Sequence, residues 1–565
     1  MSTALPRIDR QHTESSVHRR VTIGLLAPAI ALVLGAVVAL SGARGTDWPA
    51  HLFRIELFRE AGLTLWNGQW YTGHYTLGYS VIYPPLASWF GPMVVGIASS
   101  VIAAAAFADL LQRRFGTIGA FAACWFAVGT AVNLAVGRLP FALGLAFGLV
   151  ALTAYERRWM FVAVVAAPLT SLASPVAGAF LAIGIGAIIA DAWLRRRNGE
   201  HVSIAIPITM ALLTITPVAA ASALFPDPGV FPFRGAAFVG VMASCVGLVI
   251  VLPSSERVLR LSAGIAAAAA VPLFLVANPI GGNMTRMVVF FVVPVLAAAM
   301  WRSRRRLVIA AGIPLALWMV LPGAAAAGHL DDPAADADYH APVIDVVEHA
   351  GGQPGRVEVP FTAGHWEVAH IASEVPIARG WERQVDMDRN DALYHDDLTA
   401  AQYHQWVDDH AVRWIALPDV DLDEGGVAEA ALLERGLPWL RLVRTTEHWR
   451  IWEVIDATPI VEPPARLVSE TPDEIVIEAS EPGSVLVRAW YMPYWSAESD
   501  AAGDAGACVL PSDDGLLEVV VAAPGLVHLH PEFSLDPLLT AESADACTAA
   551  DSAAIPSPAP PSRPR

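Results

Sequence analysis

Lysine does not occur anywhere in this chain of 565 residues, so all 36 basic side chains are arginines. Cysteine is nearly as scarce, and its four copies do not have the spacing of a zinc site. Cys124 and Cys245 fall within apolar runs, where cysteine commonly serves as a small buried hydrophobe. Cys508 and Cys547 lie in the polar half and could form one disulfide if that half faces an oxidising compartment. The cysteines therefore predict no metal centre.

Charged residues are also scarce, at 16% of the chain, whereas 55% of the residues are hydrophobic and the mean hydropathy is +0.48. The apolar residues are concentrated in the first 325 positions, which excludes an ordinary soluble protein and indicates an integral membrane protein. Asp and Glu crowd the region after Asp331, and this acidic half argues against nucleic acid as a partner. Residues 1–21 are polar and lack a cleavable signal, so we expect a cytoplasmic tail followed by a retained first span.

A helix that spans a membrane needs about 20 mostly apolar residues, and on that measure the chain contains roughly eleven spans. The stretch from Met160 to Trp193 is too long for one helix, and the segment from Ser171 to Pro175 supplies a turn within it, so we predict a hairpin of two short spans. The predicted spans are 22–41, 86–111, 116–134, 139–154, 159–173, 176–193, 203–224, 236–253, 260–277, 287–301 and 307–325.

Runs of arginine test this count, because arginine accumulates in cytoplasmic loops. With eleven spans, all the runs fall on one side of the membrane. The N-terminus is then inside, and the loop 42–85 and everything after residue 326 are outside. We therefore predict a multi-pass protein of the cell membrane with an extracytoplasmic C-terminal region. The runs are Arg19-Arg20, Arg113-Arg114, Arg157-Arg158, Arg195 to Arg197, Arg257 with Arg260, and Arg302 with Arg304 to Arg306.

The composition changes after the last span of the predicted transmembrane domain, 22–325. Residues 326–339 form a short acidic linker. Strand-like segments alternating with helical ones predict an α/β domain over 340–458, and alternating strands predict a β-sandwich over 459–540. Residues 541–565 are rich in Ala, Ser and Pro and are predicted to be disordered.

No Asp, Glu or Arg lies in the middle third of a predicted span, which is where an ion or proton pathway would place them. Polar candidates lie instead in the first outer loop, where Asp47, His51 and Arg54 would project within one quadrant of a helix. Pro49 favours a helix that begins near this point. Asp47 is then either a simple N-cap or a functional carboxylate.

Arginines also occur in other predicted outer loops, on the side that the charge rule disfavours. These are Arg138, Arg234 and Arg286. A bound phosphate or pyrophosphate would explain them, because a guanidinium matches phosphate oxygens well. Each could instead contact lipid headgroups, so the alternative stays open.

The first outer loop is rich in aromatic side chains, among them Trp70, His74 and Tyr83. Their density suits a cleft in which flat rings stack on sugars. An interfacial aromatic belt is the alternative. In the outer region, the segments 365–367 (HWE) and 379–383 (RGWER) lack a nucleophile with a base at suitable spacing, so carbohydrate binding or domain packing is expected there.

Together these residues resemble the GT-C superfamily of polytopic membrane glycosyltransferases. The resemblance is nearest to a bacterial membrane-protein group labelled 6-pyruvoyl-tetrahydropterin synthase-related. It rests on the Asp-x-x-x-His-x-x-Arg run at Asp47, His51 and Arg54 and on the Gly-Tyr-x-x-x-Tyr-Pro-Pro-Leu segment from Gly78 to Leu86. The resemblance implies that Asp47 is a catalytic base or positions the acceptor. It also implies a polyprenyl-phosphate-linked sugar as donor and a cell-envelope glycan or lipid as acceptor.

Better-known members of the superfamily carry a second acidic residue beside the first, which this chain lacks at Asp47. No cofactor is therefore assigned and a divalent cation is left open. A flippase for a lipid-linked saccharide is one alternative to the transferase, although no internal repeat or broken helix supports it. A non-catalytic envelope scaffold is the other. The sequence does not determine the oligomeric state.

Overall fold

A computed structural model describes residues 22–227, 229–501 and 506–534. The chain divides into two compact units. The first, which we call the helical unit, comprises the described residues up to Ile55 together with Leu77–Asp332 and Arg383–Asp388. The second, the sheet unit, comprises Glu56–Thr76, Pro333–Glu382 and the residues from Arg389 onward. The predicted N-terminal tail, the tail 541–565 and Cys547, and with it the proposed disulfide to Cys508, lie outside the described residues.

Long apolar helices build the helical unit, and eight of them are long and apolar enough to cross a membrane. This confirms the prediction of a polytopic helical membrane protein. A helix suits such a sequence because it satisfies its own backbone hydrogen bonds inside hydrocarbon. The helices that begin in this unit are α1 Leu26–Ser41, α2 Trp48–Ala61, α3 Tyr83–Phe90, α4 Pro92–Phe115, α5 Thr117–Val136, α6 Leu139–Glu156, α7 Met160–Ala173, α8 Pro175–Arg197, α9 Ala205–Leu224, α10 Gly235–Val251, α11 Arg257–Leu275 and α12 Met284–Ala327.

The predicted spans differ from these helices in one place. The span expected at 86–111 is interrupted at Gly91, whose φ of 85° ends α3 and lets α4 begin at Pro92. The two spans expected at 287–301 and 307–325 correspond to two helical segments of α12, which are separated by the non-helical backbone of Arg304 (φ −140°, ψ 45°). The segments pack on each other, since a Cβ at Gly312 would lie 3.9 Å from Val293. The hairpin expected between Met160 and Trp193 is present as α7 and α8, and the Ser174 hydroxyl caps α8 by accepting a hydrogen bond from the Ala177 N–H.

The core of the helical unit is built mainly from small residues and phenylalanines. Alanines and glycines let the helix backbones approach closely. Phenylalanines fill the spaces between them, as where the Phe107 and Phe126 rings lie 4.8 Å apart and the Phe126 and Phe290 rings 5.3 Å apart. Cys245 is buried in α10 and Cys124 half-buried in α5, and both are free thiols.

The runs of arginine lie at the ends of α4, α6 and α8, at the start of α11, and at the kink in α12. Several pair with carboxylates there. Arg157 lies 2.7 Å from Asp109, Arg114 lies 2.9 Å from Glu256, and Arg257 lies 3.1 Å from Asp191. We call this the arginine-rich end of the helical unit. The connections between α1 and α2, α5 and α6, and α11 and α12 are at the opposite helix ends.

Sheets dominate the C-terminal region, as the sequence predicts. One four-stranded sheet has the order β3-β4-β6-β5, in which β3 and β4 are parallel and the other neighbours antiparallel. Helices α13 Ala337–Glu348, α14 Glu367–His370, α16 Ala400–Asp409 and α17 Val427–Arg435 accompany it, whereas α15 Arg383–Arg389 belongs to the helical unit except for its last residue. Its strands are β3 Arg356–Glu358, β4 Val412–Pro418, β5 Leu440–Thr445 and β6 Trp449–Val454.

Two antiparallel sheets follow, with the orders β10-β13-β8-β7 and β11-β12-β9. Buried and partly exposed residues alternate along strands such as β9 and β12, as expected for strands that bury one face. The exact domain boundaries at residues 340, 459 and 540 stay predictions. The strands are β7 Ala465–Glu470, β8 Ile475–Ala479, β9 Gly483–Trp490, β10 Trp495–Ser499, β11 Ala507–Pro511, β12 Leu516–Val521 and β13 Gly525–Pro531.

The first outer loop, residues 42–85, is divided between the two units. Residues 42–55 and 77–85 belong to the helical unit, whereas Glu56–Thr76 belongs to the sheet unit. There it forms a short hairpin of β1 Trp66–Asn67 and β2 His74–Tyr75. The indole N–H of Trp70 donates to the carbonyl of Val368 at 3.1 Å. A hydrogen bond between residues 298 positions apart leaves no pattern in the local sequence.

Candidate functional site

The segment that carries Asp47 is held against the C-terminal end of α5 by three hydrogen bonds. The N–H of Gly45 donates to Ala135 at 2.8 Å, that of Asp47 donates to Val136 at 3.2 Å, and the indole of Trp48 donates to Leu134 at 3.1 Å. Gly137 makes this approach possible, because a Cβ there would lie 2.6 Å from the Trp48 nitrogen. Asp47 is thereby fixed beside the start of α6.

Asp47 faces Arg138, with 3.7 Å between the carboxylate Oδ2 and the guanidinium Nε. The two side chains are 29% and 27% exposed, so both are accessible to a ligand. Asn133 fixes the arginine, because its side-chain amide donates to the Arg138 carbonyl at 3.0 Å and its own carbonyl accepts from the Arg138 N–H at 3.1 Å. Within the described residues the Asp47 carboxylate accepts no hydrogen bond from the first turn of α2, so the bond that defines an N-cap is not made.

His51 lies one turn into α2 and is only 1% exposed. Its ring centroid lies 5.7 Å from that of Tyr79 and 5.6 Å from that of Tyr83. Burial, with the nearby cations Arg54 and Arg286, holds the pKa of His51 well below 6.5, so the ring is neutral near pH 7. Neither ring nitrogen has a hydrogen-bond partner among the described residues.

Two further arginines join this group. Arg54 is 9% exposed and its Cζ lies 4.4 Å from the centre of the Tyr79 ring. Arg286, in the first turn of α12, places its Cζ 5.2 Å from the Phe141 ring and interacts electrostatically with Asp47 and Arg138. In the part of the chain that is described, Arg286 makes no hydrogen bond or ion pair.

The charges and the unused polar atoms in this cluster favour an anionic ligand. Three guanidinium groups surround one carboxylate and one neutral imidazole. The His51 nitrogens, the Tyr83 hydroxyl and the Arg138 Nε are buried without a hydrogen bond to a described residue. A buried polar group left unpaired costs about 1–3 kcal/mol, and such exceptions in folded proteins usually mark a missing partner. A phosphate carries several acceptor oxygens and is a ligand that guanidinium groups bind well.

A resident divalent cation does not fit this donor set. Magnesium and manganese prefer several carboxylate or carbonyl oxygens, and the cluster offers the single carboxylate of Asp47 amid three cationic groups. In the residues that the structure describes, no group of three or more His, Cys, Asp or Glu could hold a metal ion.

Three of the predicted site residues lie elsewhere. Trp70 and His74 are buried in the sheet unit and stack on each other at 5.7 Å, an arrangement that favours a packing role over sugar stacking. Arg234 is exposed and directly precedes α10. A sugar-binding or ligand-binding role for these residues stays a prediction.

Sequence reasoning did not identify Phe141 or Asn133 as site residues. Tyr79 is one of the first-loop aromatics that the sequence offers for a sugar-binding cleft, and it lies four residues before Tyr83 within the segment that carries the family resemblance. Phe141 and Asn133 occur in apolar runs of the spans, and their relation to the arginines depends on how α5, α6 and α12 pack. No local signal distinguishes them.

Three polar residues of the outer segments HWE and RGWER are buried in the sheet unit, namely His365, Glu367 and Arg379. His365 is fully buried, lies 3.7 Å from both Glu367 and Asp423, and stacks on Trp381 at 3.4 Å. Arg379 is also buried and pairs with Glu429 at 3.0 Å. This geometry favours the domain-packing alternative for both segments.

Replacing His51 with glutamine is expected to flatten the dependence of stability on pH. The folded protein holds this imidazole neutral, whereas the unfolded chain binds a proton below pH 6.5. The free energy of unfolding of the wild type should therefore fall by about 1.4 kcal/mol per pH unit below pH 6.5 because of this histidine. Melting temperatures of the detergent-solubilised protein from pH 7.5 to 5.0 measure the slope. The exposed His201 provides the control, and equal slopes for H51Q and H201Q would contradict the expectation.

Comparisons with known proteins give distant structural likenesses only. No family model matches the chain, and no curated protein matches it. The chain is similar to the crystal structure of ArnT from Cupriavidus metallidurans bound to undecaprenyl phosphate, with 15% identity, a TM-score of 0.38, and coverage of 76% of this chain and 97% of that one. It is also similar to the cryo-EM structure of the arabinofuranosyltransferase AftD from Mycobacteria, with 14% identity and a TM-score of 0.41. That match covers 81% of this chain but only 41% of AftD. At TM-scores below 0.5, neither likeness decides the fold or the function.

Proposed function

We propose that this chain is a GT-C-type membrane glycosyltransferase. It moves a sugar from a polyprenyl phosphate donor to a glycan or lipid acceptor of the cell envelope. The observation that carries the proposal is the single carboxylate of Asp47 set among Arg54, Arg138 and Arg286, in a cluster that retains unpaired buried donors. The sequence resemblance at Asp47, His51 and Arg54 supports the same assignment.

The reaction needs a base for the acceptor and a stabiliser for the leaving group. Asp47 accepts the proton of the acceptor hydroxyl as that oxygen attacks the anomeric carbon. The bond between the anomeric carbon and the phosphate oxygen breaks, and its electron pair stays on the phosphate. The products are the new glycoside and polyprenyl phosphate, and the configuration at the anomeric carbon inverts.

The arginines stabilise the negative charge that develops on the departing phosphate. Arg286 suits this role because it has no protein hydrogen bond or ion pair among the described residues, so its donors are free for phosphate oxygens. Arg138 lies 3.7 Å from Asp47, so one guanidinium is beside both the base and the leaving phosphate. His51, neutral and nearly inaccessible to solvent, offers one donor and one acceptor to a sugar or acceptor hydroxyl.

The arginine-rich end of the helical unit supports an orientation for the reaction. Arginine accumulates on the cytoplasmic side of a membrane, and the cluster around Asp47 lies at the opposite helix ends. We therefore place sugar transfer at the outer face, with the C-terminal region outside and the N-terminus inside.

Arg286→Gln is expected to weaken binding of polyprenyl phosphate about 10- to 100-fold, because a charge-assisted hydrogen bond to phosphate contributes about 1.5–3 kcal/mol. Binding of a short-chain polyprenyl phosphate to the detergent-solubilised protein measures the change. Arg302→Gln is the matched control, because Arg302 is exposed on the same helix but lies near its kink. Equal affinities for the two variants would overturn the phosphate-binding role.

Vesicles that contain the purified protein distinguish a transferase from a flippase. A transferase consumes the lipid-linked sugar and yields a glycosylated acceptor together with polyprenyl phosphate. Movement of the intact labelled lipid across the bilayer, without cleavage of its sugar–phosphate bond, would overturn the transferase and support a flippase.

A further inference from the structure

A cavity of about 460 Å³ lies between α8, α10 and α11 at the arginine-rich end of the helical unit. Most of its wall is apolar, formed by Leu194 of α8, Val249 of α10 and the α11 residues Gly264 and Ile265. Two arginines, Arg257 and Arg260, line the end nearest the start of α11. The cavity is therefore amphipathic, with positive charge at one end and hydrocarbon along the rest.

The arginines retain capacity for an anion. Arg260 uses its Nε to donate to the Val249 carbonyl at 3.0 Å, and its two terminal nitrogens make no hydrogen bond to a described residue. Arg257 contacts Asp191 through its Nε at 3.1 Å. The other nearby acid, Glu256, already accepts from Arg114 at 2.9 Å. The carboxylates at this end are thus engaged, while the terminal guanidinium nitrogens of Arg260 remain available.

The length of the cavity matches a lipid in one leaflet. Its lining runs along α11 from Arg257 to Ala268, which corresponds to about 16 Å at 1.5 Å per residue. Half the hydrocarbon thickness of a bilayer is about 15 Å. The space beside Gly264, at the middle of the groove, is empty. A Cβ built there would have the Val249 side chain as its nearest neighbour, at 4.0 Å.

We propose that this cavity binds an anionic phospholipid of the membrane. The headgroup phosphate lies on Arg260 and Arg257, and an acyl chain follows the apolar wall past Gly264. A phosphate alone would leave the apolar wall uncovered. A zwitterionic lipid would bring a headgroup cation close to Arg257 and Arg260, whereas basic pockets between helices select anionic headgroups. This lipid site is separate from the cluster around Asp47, because it lies at the opposite helix ends.

Native mass spectrometry of the full chain, titrated with phosphatidylglycerol and with phosphatidylcholine, tests the proposal. We expect saturable binding of phosphatidylglycerol at least five-fold tighter than that of phosphatidylcholine. Arg260→Gln should remove most of this preference, whereas Arg196→Gln should keep it, because Arg196 is exposed at the end of α8 and does not line the cavity.

A second variant distinguishes lipid binding in the cavity from attraction of the lipid to surface charge in general. Gly264→Leu leaves every charge in place but fills the groove, so it should weaken phosphatidylglycerol binding by about the same factor as Arg260→Gln. Equal affinities for the two lipids would overturn the proposal. The same conclusion would follow if R260Q and R196Q behaved alike, or if the Gly264→Leu variant bound phosphatidylglycerol as the wild type does.

Discussion

Asp47→Asn is expected to lower the rate of sugar transfer by about 10²- to 10⁴-fold, the range attributed to a positioned general base. Asparagine has the same shape as aspartate, but it cannot accept the proton of the acceptor hydroxyl. The change should appear in kcat and leave KM for the donor nearly unchanged, because Arg138 and Arg286 remain to hold the phosphate. A transfer assay with the purified protein, a polyprenyl-phosphate-linked sugar and an envelope acceptor measures both constants.

Stability should change little in the same variant. The ion pair between Asp47 and Arg138 is 3.7 Å long and more than a quarter exposed on each side, and exposed pairs contribute about 0–1 kcal/mol. Asp109→Asn is a suitable control, because Asp109 pairs with Arg157 at the arginine-rich end and has no role in the proposed reaction. Full activity of a folded and membrane-inserted D47N protein would refute Asp47 as the base.

The positions of the membrane helices could be predicted because each apolar run must satisfy its own backbone inside hydrocarbon. Gly91 is the exception, because it interrupts one expected span by its positive φ, a local cause that a count of apolar residues does not include. The four arginines between the last two apolar runs do mark a break, since the backbone leaves the helical conformation at Arg304. Composition therefore located the helical segments better than their ends.

The candidate site was predictable in part for a different reason. Asp47, His51 and Arg54 are neighbours along one helix, so their spacing alone places them together. Arg138 and Arg286 stand out in the sequence because arginine is rare on the outer side of a membrane, and the structure brings both close to Asp47. Trp70 and His74 belong to the sheet unit through contacts with residues about 300 positions away, and no local pattern carries that information.

A buried ion cluster in the sheet unit accounts for Arg379, the first residue of the RGWER segment. Arg379 is 1% exposed and its Nη1 lies 3.0 Å from Glu429 and 3.8 Å from Glu358, both of which are fully buried. The same nitrogen donates to the Gly425 carbonyl at 2.9 Å, and the guanidinium lies 3.7 Å from the Phe361 ring. One cation thus interacts with two carboxylates that water does not reach.

Arg379→Met is therefore expected to destabilise the sheet unit by at least 3–5 kcal/mol, the cost of leaving a buried charge without its partner. Hydrogen–deuterium exchange of the β3 and β4 amides in the full chain measures the loss. Arg466→Met is the matched control, because Arg466 pairs with Glu478 on the surface, where the two side chains are 60% and 42% exposed, and should cost less than about 1 kcal/mol. Adding Glu429→Gln to Arg379→Met should recover part of the stability, since it removes one of the two buried carboxylates that face the lost guanidinium. Equal exchange rates in R379M and R466M would show that the buried carboxylates do not depend on this arginine.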